Sequence, residues 1–257
     1  PWNYPLMTAM AAIAPALATG NTLVIKPSEQ TPSSLLKLAE IASLAGLPAG
    51  VLNVVPGRGI SSGAALAIHR DVDMLHFTGS TQIGRQLMQY AGQSNGKPVM
   101  LEMGGKSPQI VFEDAADLPN LGAILAQSAF TNTGQLCVAR TRLIVHENIK
   151  EQILASIQQE TKNAFCIGNP LDEQTTLGPI ASRQQFERVN DYLDIGKQEG
   201  ADLQLLTTAG AMPSPREASG YFIQPALFDN VKNTMRIAQE EIFGPILSVI
   251  SFKTDDQ

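Results

Sequence analysis

At 257 residues, 44% hydrophobic and 16% charged, the chain is long enough to bury a sizeable core, as one large domain or as two unequal ones. A net charge of −6 with no block of five or more like charges gives no footprint for nucleic acid or an anionic membrane. Two cysteines make no disulfide framework, and with no signal-peptide pattern in view the expected setting is reducing and cytoplasmic.

The chain opens Pro1-Trp2-Asn3 without an initiator methionine and stops soon after a strand-like stretch, so it reads as a piece of something longer. Its longest apolar run, residues 6–18, is interrupted by Thr8 and Pro15. A bilayer needs ~20 residues, so a buried helix is expected instead. Short β-rich runs then alternate with helical periods. Residues 23–26 are β-like; Leu35, Leu38, Ala39, Ala42 and Ala45 keep helical spacing, opened by Thr31-Pro32 and closed by Gly46. Strands at 51–55 and 74–78 and helices at 62–69 and 80–91 continue the alternation. Such a βαβαβ rhythm predicts a parallel sheet with packed helices and ligands at the carboxyl ends of its strands.

Past the paired glycines Gly104-Gly105 the rhythm loosens. Helical patterns cover 118–133, 149–164 and 182–199, strands fall near 143–146, 203–206 and 247–252, and residues 213–217 form a Pro/Ser-containing loop. This is a second α/β unit, with the glycines as the expected boundary between residues 1–104 and 105–257.

Several segments carry candidate chemistry. Gly59-Ile60-Ser61-Ser62-Gly63 fits the G-x-S-x-G nucleophile elbow of serine hydrolases and lies between a strand and a helix. Against it, an elbow needs the strand to run straight into the serine turn, and Pro56-Gly57-Arg58-Gly59 intervenes. His69, His76 and His146 have no ligand spacing with one another or with either cysteine, so no metal is expected and each reads as a surface or helix-end residue. Phe77-Thr78-Gly79-Ser80 ends a strand and starts a helix, where free N–H groups can hold a phosphate. Lys26-Pro27-Ser28-Glu29 ends another strand, and its charged pair could grip ribose hydroxyls. Glu102, in Leu101-Glu102-Met103-Gly104-Gly105, sits at an apolar strand end, where a charge is costly unless its pKa rises or water reaches it; a general base suits such a place. Glu240-Glu241-Ile242-Phe243-Gly244-Pro245 sets acid and aromatic against a Gly-Pro turn. Taken singly, the segments at 77–80 and 26–29 read more readily as solvated turns, and those around Glu102 and at 240–245 are often structural. Cys137 follows Gly134-Gln135 between a long helical pattern and a strand, whereas Cys166, among apolar neighbours with no acid or base, reads as packing.

In one order, PWNYP, KPSEQTP, FTGST, LEMGGKSP, GQLC and EEIFGP resemble the aldehyde dehydrogenase superfamily along essentially the whole chain. The resemblance implies a Rossmann-type parallel sheet in part of an NAD(P)-binding domain, followed by part of a second, catalytic α/β domain. It covers about the middle half of a typical member. By the same resemblance, Cys137 is the nucleophile, Asn3 the amide that donates to the oxyanion, and Glu102 the general base. The carboxylate at that position disfavours the CoA-acylating members. Glu241 matches the acid on the nicotinamide ribose and Phe243 the aromatic beside the nicotinamide. Lys26 and Glu29 fall at the adenosine-ribose contacts, Trp2 in the cofactor cleft, Gly59 where the adenine passes closely, and Gly79 and Ser80 at the pyrophosphate helix, with Ser28 and Gly104 also assigned to cofactor binding. Val138 departs from the small residue common after the nucleophile, which touches pocket shape.

The implied activity is oxidation of an aldehyde to a carboxylic acid, with NAD preferred because Glu29 would repel a 2′-phosphate, and NADP still possible. A homodimer or homotetramer is implied for the full-length protein. A catalytically silent structural or binding member of the same family is the alternative reading. Thr131, Leu136 and Val138 suggest an uncharged substrate pocket.

Overall fold

The computed structural model describes residues 1–209, 220–254 and 256; the loop expected at 213–217 lies outside them. The chain divides into two compact units, Pro1–Gly104 and Gly105–Gln257.

In the first unit α1 (Pro5–Ala18) leads to β1 (Leu23–Ile25), α2 (Ser33–Leu44), β2 (Leu52–Val54), α3 (Ala64–Ile68), β3 (Leu75–Thr78), α4 (Thr81–Gln93) and β4 (Val99–Glu102). Pro5 stands in the first turn of α1, where its missing N–H costs nothing, and Pro32 immediately precedes α2. The strands are parallel, as expected, but they form two separate two-stranded ladders, β1 with β2 and β3 with β4, rather than one continuous sheet. The expectation of a buried α1 is corrected as well. Only Ile13 of that helix is buried, while Leu6, Met7 and Met10 are exposed.

The second unit is one five-stranded sheet in the order β5-β6-β9-β8-β7, built from β5 (Pro108–Val111), β6 (Arg142–His146), β7 (Asp202–Leu205), β8 (Ala226–Asp229) and β9 (Ile246–Phe252). All pairs are parallel except β7 with β8. Alternation puts successive residues on opposite faces. Leu247 and Val249 of β9 join Leu143, Val145, Leu125, Phe130 and Ile157 in one core, beneath α5 (Leu121–Phe130) and α6 (Lys150–Ala164). Ile246 and Phe228 join Val189, Tyr192, Ile237 and Ile242 in the other, beneath α7 (Arg183–Gln198) and the short α8 (Arg236–Gln239). His146, expected as a surface or helix-end residue, is a buried helix-end one: at the end of β6 its Nδ1 accepts from Asn148 N–H at 3.3 Å and caps the 3₁₀ turn Glu147–Ile149, while the ring stands edge-on to Phe252 with Nε2 3.1 Å from the Lys253 carbonyl. Among the described residues no helix is long and apolar enough to cross a membrane.

Candidate active site

In the first unit the cofactor candidates follow the carboxyl ends of the strands. Past β1, Lys26 Nζ donates to the Gly57 carbonyl at 3.0 Å and reaches Glu29 Oε2 at 3.5 Å, while Glu29 Oε1 accepts from Gly59 N–H at 3.1 Å. The pair thus ties the loop after β1 to the loop after β2. Hydrogen bonds from its own backbone N–H and from Gly59, with Lys26 alongside, hold the Glu29 carboxyl below the usual range although burial works the other way. Ser28 Oγ accepts from Gln30 N–H at 3.3 Å and shapes the same turn. Nothing lies within 4 Å of where a Cβ on Gly59 would stand, so a flat group has room over it.

The G-x-S-x-G segment is one π-helical turn, Gly59–Gly63, and Ser61 Oγ donates to the Arg58 carbonyl at 3.2 Å. Among the described residues no base is hydrogen-bonded to that hydroxyl, so nothing here supports the hydrolase reading. After β3, the Gly79 N–H donates to the Glu102 carbonyl at 3.0 Å, and a Cβ there would stand 2.5 Å from the Phe77 ring. Ser80 caps α4, its Oγ accepting from Ile83 N–H at 3.4 Å, and no acidic residue occupies the first turn of the 13-residue helix. That leaves its positive end open to an anion. Glu102 is exposed at the end of β4, where water reaches its carboxylate. Asn3 and Trp2 are half-buried just ahead of α1, and Gly104 closes the unit.

In the second unit the arrangement is reversed. Cys137 lies in the connection that precedes β6, and Glu241 and Phe243 lie in the strap that precedes β9, so both segments gather at the amino-terminal edge of neighbouring parallel strands. The carboxyl-end rule expected from the βαβ rhythm does not extend to this unit. The helix expected over 118–133 also breaks early. α5 ends at Phe130, and Asn132, Thr133 and Gly134 then take φ of 53°, 57° and 66° in succession.

A β-branched residue in the left-handed region is an outlier costing about 1–3 kcal/mol, and it persists only where surrounding contacts impose it. Those contacts are present. Thr133 Oγ1 donates to the Gly178 carbonyl at 2.9 Å, Gln135 Oε1 accepts from Ala181 N–H at 2.9 Å, and Asn132 and Gln135 exchange amide-to-carbonyl bonds at 3.3 Å each. Gly134 lies flat against the strap, where a Cβ would come within 2.5 Å of Gly244 C and 2.9 Å of Pro245 N. The turn leaves the Cys137 thiol exposed, with Thr131 and Val138 exposed beside it in sequence, while Cys166 is half-buried. 

The strap is held from α7. Gln185 Nε2 donates to the Ile242 and Phe243 carbonyls at 3.0 and 2.9 Å, and Arg188 Nη2 to the Glu241 carbonyl at 2.6 Å. Glu241 Oε1 is buried without a hydrogen-bond partner, and burial pushes its carboxyl upward against the Gly105 N–H, Arg188 and Lys106. The Lys106 amine, also buried without a partner, is pushed down to about 7 by burial, with Arg142 adding to the effect and Glu241 opposing it. Sequence reasoning passed over Gln185, Arg188 and Lys106. Gln185 and Arg188 share one helical face by their spacing, the only signal the sequence offers for them.

The Aldehyde dehydrogenase family profile matches residues 1–257. Aldehyde dehydrogenase 1A1 of Equus caballus is 45% identical over 256 residues, and aldehyde dehydrogenase 1 of Tanacetum cinerariifolium 46% identical over 257. Each match takes in 100% of this chain and 50% of the relative, so the chain spans about half the length of these curated relatives. Among solved structures, P. syringae AldA indole-3-acetaldehyde dehydrogenase, a cysteine-to-alanine variant with NAD+ and IAA, superposes with TM-score 0.93 at 47% identity, over 100% of this chain and 51% of that one. Aldehyde dehydrogenase C from Pseudomonas syringae, with NAD+ and octanal, superposes with TM-score 0.92 at 42% identity, over 100% and 52%. Matched from end to end in sequence and in fold, the chain belongs to the aldehyde dehydrogenase family.

Proposed function

We propose that the protein oxidises an aldehyde to a carboxylic acid through covalent chemistry on Cys137, with NAD as preferred cofactor and NADP as a lesser one. The observation that carries this reading is the exposed thiol of Cys137, set on a left-handed turn that packs against the strap bearing Glu241. Residues 1–104 serve as the cofactor-binding part and residues 105–257 as the catalytic part. The donor set fits a dinucleotide. Glu29, held ionised near Gly59, suits ribose hydroxyls and repels a 2′-phosphate, the open start of α4 suits a pyrophosphate, and the unpartnered Glu241 oxygen suits a second ribose. Trp2, Lys26, Ser28, Gly79, Ser80, Gly104 and Phe243 complete the assignment.

The Cys137 thiolate attacks the carbonyl carbon, forming the S–C bond and moving the carbonyl π pair onto oxygen. The Asn3 amide is assigned to that oxyanion; losing one such donor typically costs about 10²–10³ in rate. Bound NAD supplies the acceptor for the hydride expelled when the C=O re-forms, which leaves a thioester on Cys137. Glu102, reached by water at the end of β4, takes a proton from the attacking water, and cleavage of the S–C bond returns the thiolate and releases the acid. The uncharged, exposed Thr131 and Val138 favour an uncharged aldehyde. The P. syringae relatives with NAD+ and with octanal or IAA are consistent with that class. A cytoplasmic homodimer or homotetramer is part of the same reading.

Replacing Cys137 with Ser in the complete protein and following NADH formation tests the assignment. Loss of aldehyde oxidation with NAD binding kept is expected. Full activity would refute it.

A further inference from the structure

The strap at 240–243 carries two adjacent carboxylates with opposite surroundings. Arg236 holds both oxygens of Glu240, Nε to Oε1 and Nη2 to Oε2 at 3.0 Å each, and the Tyr192 hydroxyl donates to Oε2 at 2.5 Å. Arg188 Nη2 in turn donates to the Tyr192 oxygen at 3.2 Å, and the Arg188 and Arg236 guanidinium groups lie 4.9 and 5.8 Å from the centre of the Tyr192 ring. Arg236 and then Tyr192 hold the Glu240 carboxyl below the usual range, whereas burial raises that of Glu241. One acid is therefore spent on anchorage and its neighbour is left with an unused oxygen.

The Tyr192 ring is itself fixed, 4% exposed, in the core with Val189, Ile237 and Ile242. Its hydroxyl carries that fixed position to the strap. Anchorage matters here because Phe243 sits at φ 61°, a conformation that relaxes unless imposed from outside.

We propose that Tyr192, together with Arg236, is a positioning residue for the cofactor half of the reaction: by locking the Glu240 carboxylate it fixes the backbone that presents Glu241 and Phe243. This rests on the reading above, in which Glu241 meets the nicotinamide ribose. Tyr192 touches neither substrate nor cofactor; it acts through Glu240.

The test uses Tyr192→Phe and Glu240→Gln in the complete protein. Three quantities are read: KM for NAD, the primary deuterium isotope effect on kcat with a 1-deuterated aldehyde, and cleavage of an activated ester, which needs the Cys137 thiol and no hydride acceptor. Each variant is expected to raise KM for NAD roughly tenfold, the worth of one charge-assisted hydrogen bond, and to enlarge the isotope effect as hydride transfer slows. A KM and isotope effect equal to the parent's in both variants would overturn the proposal. So would a parallel fall in ester cleavage, the mark of general damage. Glu241→Gln separates the two claims, because an unchanged KM for NAD in that variant sinks the ribose assignment itself.

Discussion

Gly134→Ala isolates the physics of the nucleophile turn. Two costs combine at this position. The φ of 66° places a Cβ in the left-handed region, at about 1–2 kcal/mol for an ordinary side chain. The new methyl would also stand 2.5 Å from Gly244 C and 2.9 Å from Pro245 N, main-chain atoms with no rotamer to escape into, and overpacking of this kind costs about 1–3 kcal/mol. Gly200→Ala provides the comparison. Its φ of 88° imposes the same kind of strain, yet nothing lies within 4 Å of its Cβ, so only the first cost applies. Urea unfolding of both variants in the complete protein should therefore show Gly134→Ala less stable than Gly200→Ala by about 1–3 kcal/mol. Iodoacetamide labelling of Cys137 should change only in the former. Equal destabilisation by the two substitutions would refute the claim that the turn is pressed against the strap.

Two further outcomes follow from the charges. Lys106 titrates at about 7 in the folded chain against 10.5 ordinarily, so between those values the unfolded chain binds the extra proton and stability rises with pH. The slope approaches about 1.4 kcal/mol per pH unit and should vanish in Lys106→Met; chemical denaturation of both proteins from neutral to alkaline pH checks it. Glu29→Gln removes the charge set against a 2′-phosphate, and the ratio of kcat/KM for NADP to that for NAD should rise roughly tenfold; a ratio unchanged in steady-state kinetics would contradict the role given to Glu29.

Six short motifs in one order made the family legible in the sequence, and glycine and proline at strand ends marked where the candidate residues would sit. The packing was less legible. β5 begins with Pro108 and is only four residues long, admissible because it is an edge strand, and β8 is apolar on both faces, so neither shows the alternation that marks a half-buried strand. The break after Phe130 is imposed by contacts from Gly178, Ala181 and Gly244, which no local propensity encodes. The exposed apolar face of α1 reads in sequence like a core helix, since periodicity reports amphipathic character and not what covers it. Gln185, Arg188 and Tyr192 look like ordinary positions on a helix until the strap they hold is seen.

The central claim is that Cys137 carries the acyl group between oxidation and hydrolysis. In the complete protein bearing Glu102→Gln, mixing with aldehyde and NAD, acid quench and peptide mass spectrometry should find the Cys137 peptide heavier by the acyl group, formed in step with one equivalent of NADH. Formation of NADH with no adduct on that peptide would contradict the account.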